Sequence, residues 1–151
     1  MVKHAIYAHR RIMQEFGRKI MKTIHVSGTR KKAIARVTLT EGKGIVRVNS
    51  QRIEAVEPAL AREKLMEPLV LAGETAQSVD IFVRVSGGGM NSQAEAVRVG
   101  ISRALVRHDK KLEKVFTQYD RQLLVPDVRQ KETHKPNRHG RARAKRQKSY
   151  R

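Results

Sequence analysis

Residues 78–107 read SVDIFVRVSGGGMNSQAEAVRVGISRALVR, and the apolar period changes once within them. Val79, Ile81, Val83 and Val85 alternate with Asp80, Phe82 and Arg84, the period of two expected of a half-buried strand. Ser86-Gly87-Gly88-Gly89 interrupts that pattern. From Asn91 to about Arg107 the spacing is helical, with Ala94, Val97, Ile101, Ala104 and Leu105 inward and Glu95, Arg98, Ser102 and Arg103 outward. Strand, glycine turn and helix in succession predict a body of mixed α and β structure.

Working outward, a short helix is expected over Lys110 to about Val115, with Leu112, Val115 and Phe116 packing back. Leu123, Leu124 and Val125 are the last apolar run before Pro126. Upstream, Glu57-Pro58 opens a helix that runs to Glu67, since proline is tolerated in a first helical turn. Pro68 then restarts a turn through Leu69, Val70 and Leu71 that Gly73 stops, so two short helices are expected in preference to one kinked helix.

Earlier still, Ile24 and Val26 alternate with His25 and Ser27 as a short strand. Gly28 and the basic triplet Arg30, Lys31, Lys32 interrupt it, exposed at the sheet's end. Alternation resumes with Ala33, Ala35, Val37 and Leu39 against Ile34, Arg36, Thr38 and Thr40; after Gly42-Lys43-Gly44 comes the run Ile45 to Asn49. These two segments read as strands joined by a glycine-bearing hairpin turn.

Charge divides the 151-residue chain more sharply than periodicity does. The formal charge of +19 is split as +8 over residues 1–32, +3 over 33–126 and +8 over 127–151. The middle has the balance of an ordinary domain, and the ends have that of a polyanion-binding protein. Residues 127–151, DVRQKETHKPNRHGRARAKRQKSYR, hold ten Lys and Arg against Asp127 and Glu132, with little to bury. Such a tail does not offset its own conformational entropy and is expected to order on a polyanion. Residues 1–20 read either as a basic, weakly amphipathic helix around Ile6, Met13, Phe16 and Ile20 or as an appendage to a body that begins at Met21.

The same features exclude several classes. Cysteine is absent, so disulfides, thiolate metal sites and thiol nucleophiles are out. No apolar run is long enough to span a bilayer, and the tail lacks the apolar face of a membrane-surface helix. His4, His9, His25, His108, His134 and His139 show no metal-ligand spacing. The glycine run could hold an anion at a helix N-terminus, or simply be a packing turn. It lacks the lysine and hydroxyl of a P-loop, and Ser92 stands where a dinucleotide fingerprint has its third glycine or alanine. The reading is therefore non-enzymatic, with no cofactor. The tail alone leaves RNA threading, a DNA-architectural arm or a nuclear-localisation patch open; its arginines suit bidentate phosphate contacts, and Tyr150 beside Arg151 offers a stacking face.

Gly28-Thr29-Arg30-Lys31-Lys32-Ala33-Ile34-Ala35-Arg36 resembles the opening signature of the ninth small-subunit ribosomal protein family. The turn to Val48-Asn49, the run Gly87-Gly88-Gly89 with Gln93, Ala94, Arg98, Arg103, Ala104 and Leu105, the trio Tyr119-Asp120-Arg121 and the ending Lys145 to Arg151 follow in the family's order. The Glu67-Pro68-Leu69 segment and the Ser-Tyr-Arg ending resemble the archaeal and eukaryotic branch. Two departures stand out: residues 1–20 have no counterpart, and Ser92 replaces a glycine common before the glutamine.

The resemblance implies an α+β fold of the ribosomal S-five second-domain type, a sheet backed by helices with a left-handed βαβ crossover. It implies a basic extension at 1–20, an RNA-binding body at 21–126 and an extended tail at 127–151. It further implies a cytoplasmic, ribosome-bound place in the small-subunit head, with ribosomal RNA, neighbouring head proteins and peptidyl-site tRNA as partners and no membrane. Ribosomal RNA would be met by Arg30, Lys31, Lys32, Arg36, Gly87, Gly88, Gly89, Gln93, Arg98, Arg103 and Arg121, and by Arg129, Lys131, Arg138, Arg141, Arg143, Lys145 and Arg146 of the tail. Lys148, Tyr150 and Arg151 would approach the tRNA. A DNA-binding architectural protein is the alternative.

Overall fold

The computed structural model describes residues 23–138, 140–143 and 149. The expected extension at 1–20 lies outside them, as do Lys145, Arg146, Lys148, Tyr150 and Arg151. Five strands, β1 (Ile24–Arg30), β2 (Ala33–Glu41), β3 (Val46–Val48), β4 (Gln51–Arg52) and β5 (Val79–Ser86), form one sheet in the order β1-β2-β5-β3-β4. The helices are α1 (Ala59–Ala72), α2 (Glu74–Gln77), α3 (Met90–His108) and α4 (Leu112–Tyr119), with 3-10 turns at Ile53–Ala55 and Arg121–Leu123.

The alternating segments put one side of the sheet into the core. Ala33, Ala35, Val37 and Leu39 of β2 and Val79, Ile81 and Val83 of β5 are buried against α3, whose Ala94, Val97, Ile101, Ala104 and Leu105 are buried in turn. Phe116 and Leu123 close the far side. Burying each such large side chain contributes about 1.5–3 kcal/mol relative to exposure, so this layer is the main source of stability.

The expected hairpin between the second and third strands is replaced by a crossover. β5 pairs antiparallel with β2 and parallel with β3, lying between them, and the β3-to-β5 connection runs through α1 and α2 as a βαβ unit. The Gly42-Lys43-Gly44 turn is held by β5 instead: Gly42 N donates to Ser78 O (3.0 Å), and Lys43 N and Ile45 N donate to Asp80 Oδ1 (2.8 and 2.9 Å). Beyond the three residues of β3, Asn49 extends the pairing with its side chain, donating to Val85 O and accepting from Val85 N. A glycine turn between alternating segments therefore fits either a hairpin or this arrangement, and long-range pairing decides.

Three further expectations are corrected. Pro68 lies inside one continuous helix, α1. It has no N–H for the Lys64 carbonyl, but its ring is buried, and that packing offsets the break. Ser102 faces inward, fully buried, with Oγ donating to Arg98 O at 2.8 Å, because α3 is covered on two sides, by the sheet and by α1 and α4. Val115 is exposed, since the spacing of Leu112 and Phe116 on α4 leaves it on the outer face.

Candidate nucleic-acid interface

One end of the sheet gathers residues far apart in sequence. β1 runs through Gly28 to Arg30, and Lys31-Lys32 form a two-residue turn into β2, with Arg30 opposite Ala33. The glycine run packs beside this turn: a Cβ on Gly87 would lie 2.5 Å from Lys32 O, and one on Gly88 would meet Ala33 at 3.0–3.1 Å. Both also have positive φ (76° and 67°), so two separate constraints require glycine here. Gly89 caps α3 without any side-chain hydrogen bond, and Gln93 Nε2 donates back to Gly87 O at 3.0 Å, fixing the loop. Two exposed lysines thus lie beside a helix start whose first amides have no side-chain cap, an arrangement that attracts anions.

The other expected basic residues divide into two groups. Arg30 is held by Glu95 (Nε to Oε2, 2.5 Å) and by Asp127; these hydrogen bonds, Glu95's foremost, raise its pKa. Arg98 bridges Glu67 and Asp120, at 2.9 Å to each from Nη2. Arg103 donates to Leu124 O (2.8 Å) and Ser27 O (3.2 Å), and Arg107 donates to His25 O (2.9 Å), so two α3 arginines cover outer carbonyls of the edge strand β1. These groups bind the body to itself. Lys31, Lys32, Arg36 and Arg121 face solvent, as do Arg129, Lys131, Arg138 and Arg141 of the tail.

The tail leaves the body at an ion-pair junction. Arg129's side chain, then its backbone N–H, then Arg30 hold the Asp127 carboxyl well below the usual carboxylate range. Farther on, Lys135 N donates to Arg141 O (3.1 Å), and Arg143 pairs with Glu132 at 3.0 Å. Arg143 keeps Glu132 below its ordinary pKa. No helix or strand forms among the described tail residues.

Sequence reasoning passed over the solvent face of the sheet. Arg84, Arg47, Arg52 and Phe82 stand there with Arg36, all exposed. The signal was the alternation itself, whose outward side carries Arg36, Phe82 and Arg84. Among the described residues no cluster of His, Asp or Glu could hold a metal ion, and no helix is long and apolar enough to cross a membrane.

The family described as ribosomal protein S9/S16 matches residues 28–151. Small ribosomal subunit protein uS9 of Methanothrix thermoacetophila is 50% identical over 133 residues, covering 87% of this chain and 100% of that protein. The proteins of the same name from Methanococcus vannielii and Methanococcus maripaludis are 47% and 46% identical over 134 residues, with the same coverage.

Proposed function

The chain belongs to the ribosomal protein S9/S16 family, a structural and not an enzymatic component of the small ribosomal subunit, and we propose that it holds small-subunit RNA and reaches toward peptidyl-site tRNA. Lys31, Lys32 and the Gly87 to Gly89 loop would take phosphate at the end of the sheet. The observation that carries this reading is their convergence with the α3 N-terminus from segments more than fifty residues apart. Arg36, Arg121 and the tail cations from Arg129 to Arg146 would extend the RNA surface. Arg30, Gln93, Arg98 and Arg103 would act as positioning residues for it.

Division into an extension at 1–20, a body at 21–126 and a tail at 127–151 follows the charge, which is concentrated at the ends. Lys148, Tyr150 and Arg151 are the residues proposed to meet tRNA. Neighbouring proteins of the small-subunit head are the further partners proposed.

The experiment uses small subunits carrying the full chain or one lacking Lys148 to Arg151. Both are expected to co-sediment with the subunit after a high-salt wash, and the truncated chain to weaken tRNA binding at the peptidyl site. Unchanged tRNA affinity overturns the tail's role. Equal affinity of the free protein for duplex DNA and for its ribosomal RNA fragment at matched salt favours the DNA-architectural alternative, since phosphate neutralisation alone gives no preference.

A further inference from the structure

We infer that the open face of the sheet is a platform for an unpaired RNA nucleotide, its base stacked on Phe82 and its flanking phosphates held by two pairs of arginines; this rests on the RNA-binding reading above. The register sets the platform out. Arg36 of β2 lies directly opposite Arg84 of β5, and Arg47 of β3 opposite Arg52 of β4. Phe82 lies opposite Thr38 on one side and Arg47 on the other, in the row next to Arg36 and Arg84, so the ring has arginines on two sides.

Each arginine pair is a cost in the free protein. Residues directly opposite on one face have Cβ atoms about 4.5–5.5 Å apart, and like charges there destabilise a sheet. Among the described residues no carboxylate forms an ion pair with any of the four arginines. Asp80, at the end of the same face, has its Oδ1 occupied by the amides of Lys43 and Ile45. An anion set between the members of each pair removes the repulsion, and phosphate accepts the bidentate fork of arginine.

The aromatic ring selects among polyanions. Phe82 is 44% exposed in the middle of a sheet, where a merely solvated position would carry a polar side chain. Its free π-face meets a nucleobase only where that base is not already stacked in a duplex. The face is also a depression, lined by His25, Ser27, Arg36, Arg47, Phe82 and Arg84.

The test uses the full chain, a labelled oligouridine and an RNA hairpin duplex. Phe82→Leu should weaken oligouridine binding about tenfold, with duplex binding unchanged and Phe82→Tyr restoring affinity. Arg36→Gln combined with Arg84→Gln should reduce the salt slope for the single strand by about 0.7, the loss of one phosphate contact. Equal losses for single strand and duplex in Phe82→Leu, or no loss, overturn the platform. Phe82-dependent binding of polyglutamate overturns it in favour of an acidic protein segment.

Because the tail also binds RNA, ultraviolet crosslinking of purified small subunits supplies an independent reading. A nucleotide attached to the Phe82 peptide is expected. A chain that sediments with the subunit but carries no such adduct overturns the platform alone, and a chain absent from the subunit overturns the RNA-binding reading beneath it.

Discussion

Gly28 of β1 and Gly100 of α3 meet backbone to backbone. A Cβ on Gly28 would lie 2.6 Å from Gly100 N and would overlap the Ala96 carbonyl oxygen, and one on Gly100 would lie 2.7 Å from Val37 Cγ2. The contact seats α3 directly on the sheet. From there Arg103 and Arg107 reach the outer carbonyls of β1, and Gly87 and Gly88, just before the helix start, pack beside the Lys31-Lys32 turn. Two absent side chains thus bring the basic turn and the helix N-terminus together.

Gly28→Ala should therefore cost about 1–3 kcal/mol, because its obstacles are backbone atoms that cannot rotate away. For a body of about 100 residues that corresponds to a melting temperature lower by roughly 4–8 °C per kcal/mol. Gly100→Ala should cost less, since its nearest obstacle is a valine methyl. Thermal unfolding followed by circular dichroism compares them; a wild-type midpoint for Gly28→Ala would contradict the close packing.

Asp80 gives a pH-dependent prediction. The Ile45 amide, then the Lys43 amide, hold its carboxyl below the ordinary value of 3.8, against a smaller opposing effect of burial. A carboxylate whose pKa is depressed by folding contributes stability above the unfolded value and loses it as pH falls through the folded one. Asp80→Asn should thus be less stable by about 1 kcal/mol at pH 7. The gap should narrow as pH drops below 3.8, which urea unfolding at pH 7 and pH 3 can measure.

Much of this fold was legible because period reports burial. The strand at Val79 to Val85, the apolar side of Ala33 to Leu39 and the inward face of α3 all follow from spacing alone. Strand order did not, since β3 pairs with a strand more than thirty residues downstream, and the hydrogen bonds that select it come from Asp80 and Asn49, which look like turn and surface residues in the sequence. The basic residues were visible as charge, but their division between ion pairs and solvent depended on where Glu67, Glu95, Asp120 and Asp127 fall in space.

Arg98 tests that division. Arg98→Met keeps the aliphatic packing but strands Glu67 and Asp120, and should cost roughly 1.5–3 kcal/mol, the range for hydrogen bonds to charged groups. The salt slope for binding ribosomal RNA should stay unchanged. A slope lower by about 0.7–0.9 would instead mean that Arg98 neutralises a phosphate.

The junction at Arg30 and Asp127 should fix where the tail departs. Arg30 belongs to the strand leading into the basic turn and Asp127 to the first residue of the tail, so their ion pair ties the tail's origin to the proposed phosphate site. Asp127→Asn should raise amide hydrogen exchange at Val128 to Gln130 while leaving α3 protected. Since Arg129 and Arg30 hold the Asp127 carboxyl well below the usual range, the wild-type junction should keep its protection through mildly acidic pH and lose it only as pH falls far below 3.8. Loss of protection between pH 6 and pH 5 would show that another group sets the tail's direction. Unaltered exchange in Asp127→Asn would show that Leu123, buried four residues upstream, is sufficient to anchor it.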